Sequence, residues 1–160
     1  MIDLLKEKIA ESSFLNAFKK MDFSIKSPEE VAKEMDMAFK HKVFKTKENN
    51  HCIIGFYLVF SKYREDEEDF VREVMYLVQK KIRKSDKLLR IGDKDFLILL
   101  PNTYFSETET VIKRIKKIIL DFSIKSEREV NVYFRMYRFT PFTNERELLN
   151  NFFTKRSRGE

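Results

Sequence analysis

Glycine and proline number three each, cysteine one and tryptophan none in a chain of 160 residues, and these shortages exclude several kinds of chemistry. With glycine only at Gly55, Gly92 and Gly159, neither a G-x-x-x-x-G-K-[ST] phosphate loop nor a G-x-G-x-x-G dinucleotide turn can be written anywhere in it. The lone Cys52 can form no internal disulfide and no Cys-rich zinc site, and His41 with His51 supplies no second set of ligands. Such sparse thiol usage suits a reducing compartment, and a cytoplasmic location is expected. The longest apolar run, from Cys52 to Phe60, is about half of the ~20 residues a membrane-crossing helix needs. The opening MIDLLKEKIAE interrupts any signal-peptide core with charge. No membrane partner is expected.

What is present fits one folded domain. The chain is 42% hydrophobic and 36% charged, enough apolar surface for one core and too little for two. Its 32 basic residues exceed its 26 acidic ones, for a net charge of +6, which favours anionic partners without choosing among nucleic acid, nucleotide and lipid.

Apolar periodicity sets out the elements. Leu5, Ile9, Phe14, Leu15 and Phe18 recur at three- and four-residue steps within Ile2 to Met21, predicting an N-terminal helix over residues 1–21 that lies against the body or a partner. Ser27-Pro28-Glu29-Glu30 is a helix start with a capping box, and the helix runs to about Phe39 with Val31, Ala32, Met35 and Phe39 inward. Lys45 to Asn50 reads as a loop. Ile53 to Phe60 is apolar without alternation, as in a strand buried on both faces. Val71, Val74, Met75, Val78 and Ile82 form one stripe of a helix ending near Lys84. Leu88–Ile91 and Phe96–Leu100 make a hairpin whose tight turn takes a positive φ at Gly92. Ser106-Glu107-Thr108-Glu109 reads as a second capping box, opening a helix with Val111, Ile112, Ile115, Ile118, Ile119 and Phe122 inward and Lys113, Arg114, Lys116 and Lys117 outward. Val130 to Tyr137 alternates as a strand, a short helix spans Glu145 to Phe153, and a basic tail, 154–160, closes the chain. The fold class is α/β (α+β): a mixed, mainly antiparallel central sheet flanked by helices.

The stretch Arg83-Lys84-Ser85-Asp86 followed by Leu88-Leu89-Arg90-Ile91-Gly92-Asp93-Lys94-Asp95-Phe96 and Leu100-Pro101-Asn102-Thr103 resembles the signature region of the GGDEF (diguanylate cyclase) family. The resemblance covers residues 22–153 and is strongest from Arg83 to Arg114. It implies the palm-like fold of nucleotide cyclases and, for active members, magnesium-dependent condensation of two GTP molecules into cyclic di-GMP. The hairpin-tip signature here reads Gly92-Asp93-Lys94-Asp95-Phe96: Asp93 replaces the family's second glycine, Lys94 its metal-binding acid and Asp95 its glutamate. An ammonium cannot ligate magnesium. No Asp or Glu occurs from Ile53 to Tyr63, where the resemblance places the other metal carboxylate. A catalytically inactive member with no catalytic residues, no metal site and no cofactor of its own is therefore expected.

The resemblance also implies a product-binding inhibitory site. In the family an Arg-x-x-Asp before the hairpin, at the spacing of Arg83 and Asp86, joins an arginine on the following helix, at the position of Arg114. The chemistry suits guanine: a guanidinium makes paired hydrogen bonds to O6 and N7 or to a phosphate, and a carboxylate accepts from N1 and N2. The same pair also suits local roles, an arginine at a helix C-terminus and a turn-forming aspartate. Lys94 and Arg90 read as a turn residue and a strand-edge structural residue. Asp66, Glu67, Glu68 and Asp69 read as acids serving a helix N-terminus, and His41, His51 and Cys52 as loop or core residues.

The leading expectation is thus a cyclic di-GMP receptor or a regulatory interaction module, with a protein partner or a second copy engaged through the N-terminal helix. The alternative is a nucleic-acid-binding domain in which Tyr133, Arg135, Tyr137 and Arg138 form an aromatic and basic sheet surface beside the tail Lys155-Arg156-Ser157-Arg158. A residual enzyme acting on another nucleotide ranks third, for want of a second carboxylate.

Overall fold

The computed structural model describes residues 14–39 and 50–154. The apolar run His51–Phe60 (β1) is an interior strand of a four-stranded antiparallel sheet. Lys87–Gly92 (β2), Asp95–Leu100 (β3) and Val130–Phe139 (β4) complete it in the order β2-β3-β1-β4. The register brings Phe56 opposite Phe96 on one side and Phe134 on the other. Glu67–Lys81 (α3) links β1 to β2 and Phe105–Lys125 (α4) links β3 to β4. Each crossover skips one strand, which gives a split β-α-β-β-α-β arrangement with both helices on one face.

Because successive strand residues point to opposite faces, β1 serves two cores. Ile54, Phe56 and Leu58 pack with Val74 and Val78 of α3 and Ile115 and Ile119 of α4. Ile53, Leu97 and Leu99 pack beneath Pro28–Phe39 (α2), through Val31, Met35 and Phe39, and Glu145–Thr154 (α5), through Leu148 and Phe152. Residues 14–20 are helical (α1); Phe14 meets the edge of the Tyr76 ring on α3 at 4.7 Å, and Phe18 lies 4.9 Å from Phe23. The rest of the expected N-terminal helix, most of the Lys45 to Asn50 loop and the basic tail lie outside the described residues. No helix among the described residues is long and apolar enough to cross a membrane.

The element order matches the expectation, and the Ser27 cap is formed as read: Ser27 N–H donates to Glu30 Oε1 at 3.0 Å and Glu30 N–H to Ser27 Oγ at 3.2 Å. The described strands are antiparallel throughout. Three local expectations are corrected. The first concerns α3, which ends at Lys81 and not near Lys84; Ile82 turns extended, and the Asp86 carboxylate captures the Arg83 N–H that another helical turn would have used. At the hairpin turn, no described glycine has a positive φ. A bulge between Arg90 and Gly92 absorbs the twist, and Arg90 holds the carbonyls of Gly92 and Asp93, so glycine's freedom is not used there. The third correction is the start of α4, one residue before Ser106: Glu107 reaches back to the Tyr104 N–H at 2.9 Å, leaving Ser106 inside the first turn.

Candidate functional site

The hairpin of β2 and β3 has two ends, and the residues singled out by the sequence fall at both. At the open end, the turn between α3 and β2 closes with Asp86 N–H donating to Arg83 O at 3.0 Å. The Asp86 side chain is only 3% exposed. Its carboxylate accepts the Arg83 backbone N–H at 2.8 Å, Nε at 3.1 Å from both oxygens, and Nη2 at 2.8 Å. That pairing raises the Arg83 pKa above its ordinary value, against the opposing effect of burial. Nη2 also donates to Pro101 O at 3.1 Å and Thr103 Oγ1 at 2.6 Å, across the gap to the segment leaving β3.

That segment is tied to the start of β1. Asn102 adopts a positive φ of 50°, which asparagine tolerates better than most residues. Its N–H donates to His51 Nδ1 at 2.9 Å, Thr103 N–H donates to Asn50 O at 3.0 Å, and Cys52 Sγ–H donates to Thr103 O at 3.2 Å. His51 and Cys52 are thus buried structural residues, and burial pushes the Cys52 thiol up to about 11. Such a thiol stays protonated and unreactive.

The first turns of α4 stand opposite. Together Lys81, Ile82, Arg83, Asp86, Thr103, Glu107, Thr110, Val111 and Arg114 line a cleft of about 280 Å³. Arg83, Asp86 and Arg114 therefore converge on one cavity. Arg114 is exposed, and with Lys81 and Arg83 it sets three cationic side chains in the lining against the acidic Asp86 and Glu107, so the cleft rim is basic on balance. Asp86 performs the local turn role as well. Thr103, Glu107, Lys81 and Thr110 escaped the sequence reading. The signal that locates Thr103 is the equal length of β2 and β3, six residues each, which returns the chain after β3 to the turn before β2.

At the turn end, charge is closed on itself. Arg90, 4% exposed, donates Nη1 to Glu68 Oε2 at 2.9 Å and to Phe23 O at 3.1 Å, and Nη2 to Glu68 Oε1 at 2.7 Å and to Asp93 O at 2.6 Å. These bonds, with a second ion pair to Arg72, hold Glu68 down to about 2 despite partial desolvation. Lys94 Nζ pairs with Glu67 at 2.8 Å and lies 5.1 Å from the Phe60 ring centre. Asp66 pairs with Arg128, whose guanidinium lies over Phe60 and Phe70. The acids stand at the start of α3 as expected, Asp66 just before it and Glu67, Glu68 and Asp69 in its first turn.

Magnesium, the ion that the family resemblance implies, does not fit these residues. Asp66, Glu67 and Glu68 each face a fixed cation, and Lys94 presents an ammonium where a ligand is required. Among the described residues no three His, Cys, Asp or Glu side chains gather as metal ligands. Gly92 ends β2, Asp93 and Lys94 form the turn, and Asp95 and Phe96 are buried in the sheet.

The expected aromatic and basic surface is divided. Tyr133, Arg135 and Tyr137 lie on one face of β4 and Arg138 on the other, because side chains alternate. Tyr133 stacks on Tyr57 at 5.1 Å, Tyr137 meets the Phe152 ring edge-on at 5.1 Å, and Arg138 lies over Phe105 at 4.5 Å. Tyr137 is thereby half-buried on one side, and Arg138 stays exposed on the other.

Residues 64–142 match the family described as "Diguanylate cyclase, GGDEF domain". No curated protein matches the sequence. Among solved structures, the chain is similar to the GGDEF domain of DgcB from Caulobacter crescentus, in complex with c-di-GMP, at 12% identity and a TM-score of 0.56, over 83% of this chain and 87% of that one. It is similar to a DGC protein from Thermotoga maritima at 13% identity and a TM-score of 0.54, over 76% and 86%. It also resembles the diguanylate cyclase SiaD of Pseudomonas aeruginosa, in complex with its activator SiaC, at 13% identity and a TM-score of 0.62, over 94% of this chain and 62% of SiaD. At such identities the likeness speaks for the fold. With the family's domain matched from Arg64 to Phe142 and its architecture shared by these structures, residues 64–142 are identified as a GGDEF domain.

Proposed function

We propose that this protein is a signalling domain that binds cyclic di-GMP in the cleft between Arg83 and Arg114 and does not synthesise it. The observation that carries the proposal is the convergence of Arg83, Asp86 and Arg114 on one basic-rimmed cavity, while the acids at the hairpin tip are paired with Arg90, Lys94 and Arg128. Guanidinium groups at the mouth suit the phosphates and the O6 and N7 acceptors of a guanine dinucleotide. The c-di-GMP complex of the Caulobacter domain adds the family's precedent for this ligand.

A bound ligand has a route to a partner. The cleft lies at the C-terminal end of α3, and the outer side of α3 carries α1 through Tyr76. A change at the Arg83 turn is therefore passed through one helix to the N-terminal segment, where a protein partner or a second copy would read it.

Calorimetric titration of the full chain with cyclic di-GMP at moderate salt tests the reading, with GTP as the anion control. Selective binding is expected, and Arg114→Ala lowers affinity about tenfold or more, the scale of one charge-assisted contact. Equal binding of GTP, or none of either, overturns the proposal. Incubation with GTP and magnesium is expected to yield no cyclic dinucleotide, and any protein-dependent product refutes the second half.

A further inference from the structure

Guanine recognition needs an acceptor for the base's N1–H and N2–H groups, and the obvious one is already filled. Both oxygens of the Asp86 carboxylate are engaged by Arg83, through three N–H groups: the backbone N–H, Nε–H shared between the two oxygens, and one hydrogen of Nη2. Its side chain is 3% exposed. On Arg83, Nε and Nη2 are taken up by Asp86, Pro101 and Thr103, leaving Nη1 alone, which cannot form the two-nitrogen fork that O6 and N7 require.

The opposite wall is different. Glu107, Thr110 and Arg114 follow one another at three- and four-residue steps along α4 and all line the cleft, so they share one helix face. Glu107 Oε1 accepts the Tyr104 N–H at 2.9 Å, which fixes the side chain at the helix start. Its Oε2 holds no hydrogen bond among the described residues and the side chain is exposed. Two helical turns, about 10 Å of rise, separate it from Arg114, a span that the two side chains close on a base lying between them.

We propose that the guanine-reading pair of this cleft is Glu107 with Arg114, both on α4, and that Asp86 and Arg83 form its rigid wall. Glu107 accepts from N1–H and N2–H, and Arg114 donates to O6 and N7. The assignment rests on reading the cleft as a cyclic di-GMP site.

The test compares cyclic di-GMP with its inosine analogue, which lacks the 2-amino group, on the full chain and on Glu107→Gln. The glutamine carbonyl still accepts the Tyr104 N–H while its amide replaces the free oxygen with a donor, so an unchanged melting temperature confirms the fold. The unsubstituted protein is expected to prefer guanine about tenfold over inosine, and Glu107→Gln to weaken cyclic di-GMP about tenfold or more and to abolish that preference. If the unsubstituted protein binds and Glu107→Gln keeps both affinity and preference, the assignment of Glu107 is overturned and the cleft reading stands. If the unsubstituted protein does not bind cyclic di-GMP, the cleft reading falls and takes this assignment with it.

Discussion

The two ends of the β2–β3 hairpin, about 20 Å apart by strand rise, treat arginine in opposite ways. At the turn end Arg90 is buried and its donors are met by Glu68, Phe23, Gly92 and Asp93. At the open end Arg83 has a 52% exposed side chain, and Arg114 stands exposed across the cleft. Burial with complete pairing makes Arg90 a fastener; Arg83 is fastened through Nε and Nη2 but keeps Nη1, and Arg114 stands beside the cavity available to an anion. In this chain the turn end is closed by internal ion pairs, and the exposed donors face the cleft at the other end.

Substitution of the two arginines sharpens the contrast most. Arg90→Ala is expected to cost about 3 kcal/mol in denaturant unfolding, the low end for breaking a buried ion pair because Glu68 is itself half exposed. Arg83→Ala costs less, about 1 to 2 kcal/mol, since it unpairs the buried Asp86 side chain but leaves the backbone N–H bond to that carboxylate in place. Equal losses would erase the distinction between the ends. Lys94→Glu should cost about 1 kcal/mol, because it loses the pair with the largely buried Glu67 and sets a second carboxylate beside it. It frees Glu67 but should restore no product formation from GTP and magnesium, because Arg90 and Arg128 still hold Glu68 and Asp66 and no acid stands from Ile53 to Tyr63; a cyclase assay would expose any restoration.

The pair of Glu68 with Arg90 also gives an acidic signal. Glu68 is held at about 2 against an ordinary 4.5, so between those values the unfolded chain binds more protons than the folded one. Its contribution is complete above about pH 4.5 and is lost as pH falls towards 2. Thermal melts of the unsubstituted protein should fall more steeply through that window than those of Glu68→Gln, and parallel curves would show that the pair with Arg90 contributes nothing.

Much of this arrangement was legible in the amino-acid order, and the exceptions share a cause. The run from Ile53 to Phe60 announced a strand buried on both faces because almost nothing polar interrupts it, and Ser27 with Glu30 announced a helix start because a capping box needs only a hydroxyl and a carboxylate three residues apart. The end of α3 was hidden, since Ile82 continues the apolar period while the competing event, Asp86 taking the Arg83 N–H, is a side-chain contact outside that period. The hairpin turn was misread for a similar reason: Gly92 suggested a left-handed residue, whereas Arg90 holds the turn from beneath. At the cleft, the three-residue spacing of Arg83 and Asp86 was visible, and family resemblance pointed to Arg114. Thr103 and Glu107 were not visible, because only the hairpin's return brings their segment to the Arg83 turn.

The Arg83 turn is also short-range in the chain. Arg83 meets Asp86 three residues away, Pro101 eighteen and Thr103 twenty, whereas Arg90 reaches Phe23 across sixty-seven residues and Arg128 reaches Asp66 across sixty-two. Short loops close at lower entropic cost and sooner than long ones. The Arg83 turn therefore closes at lower entropic cost than the charged lattice around the hairpin tip, whose bonds wait on contacts across more than sixty residues.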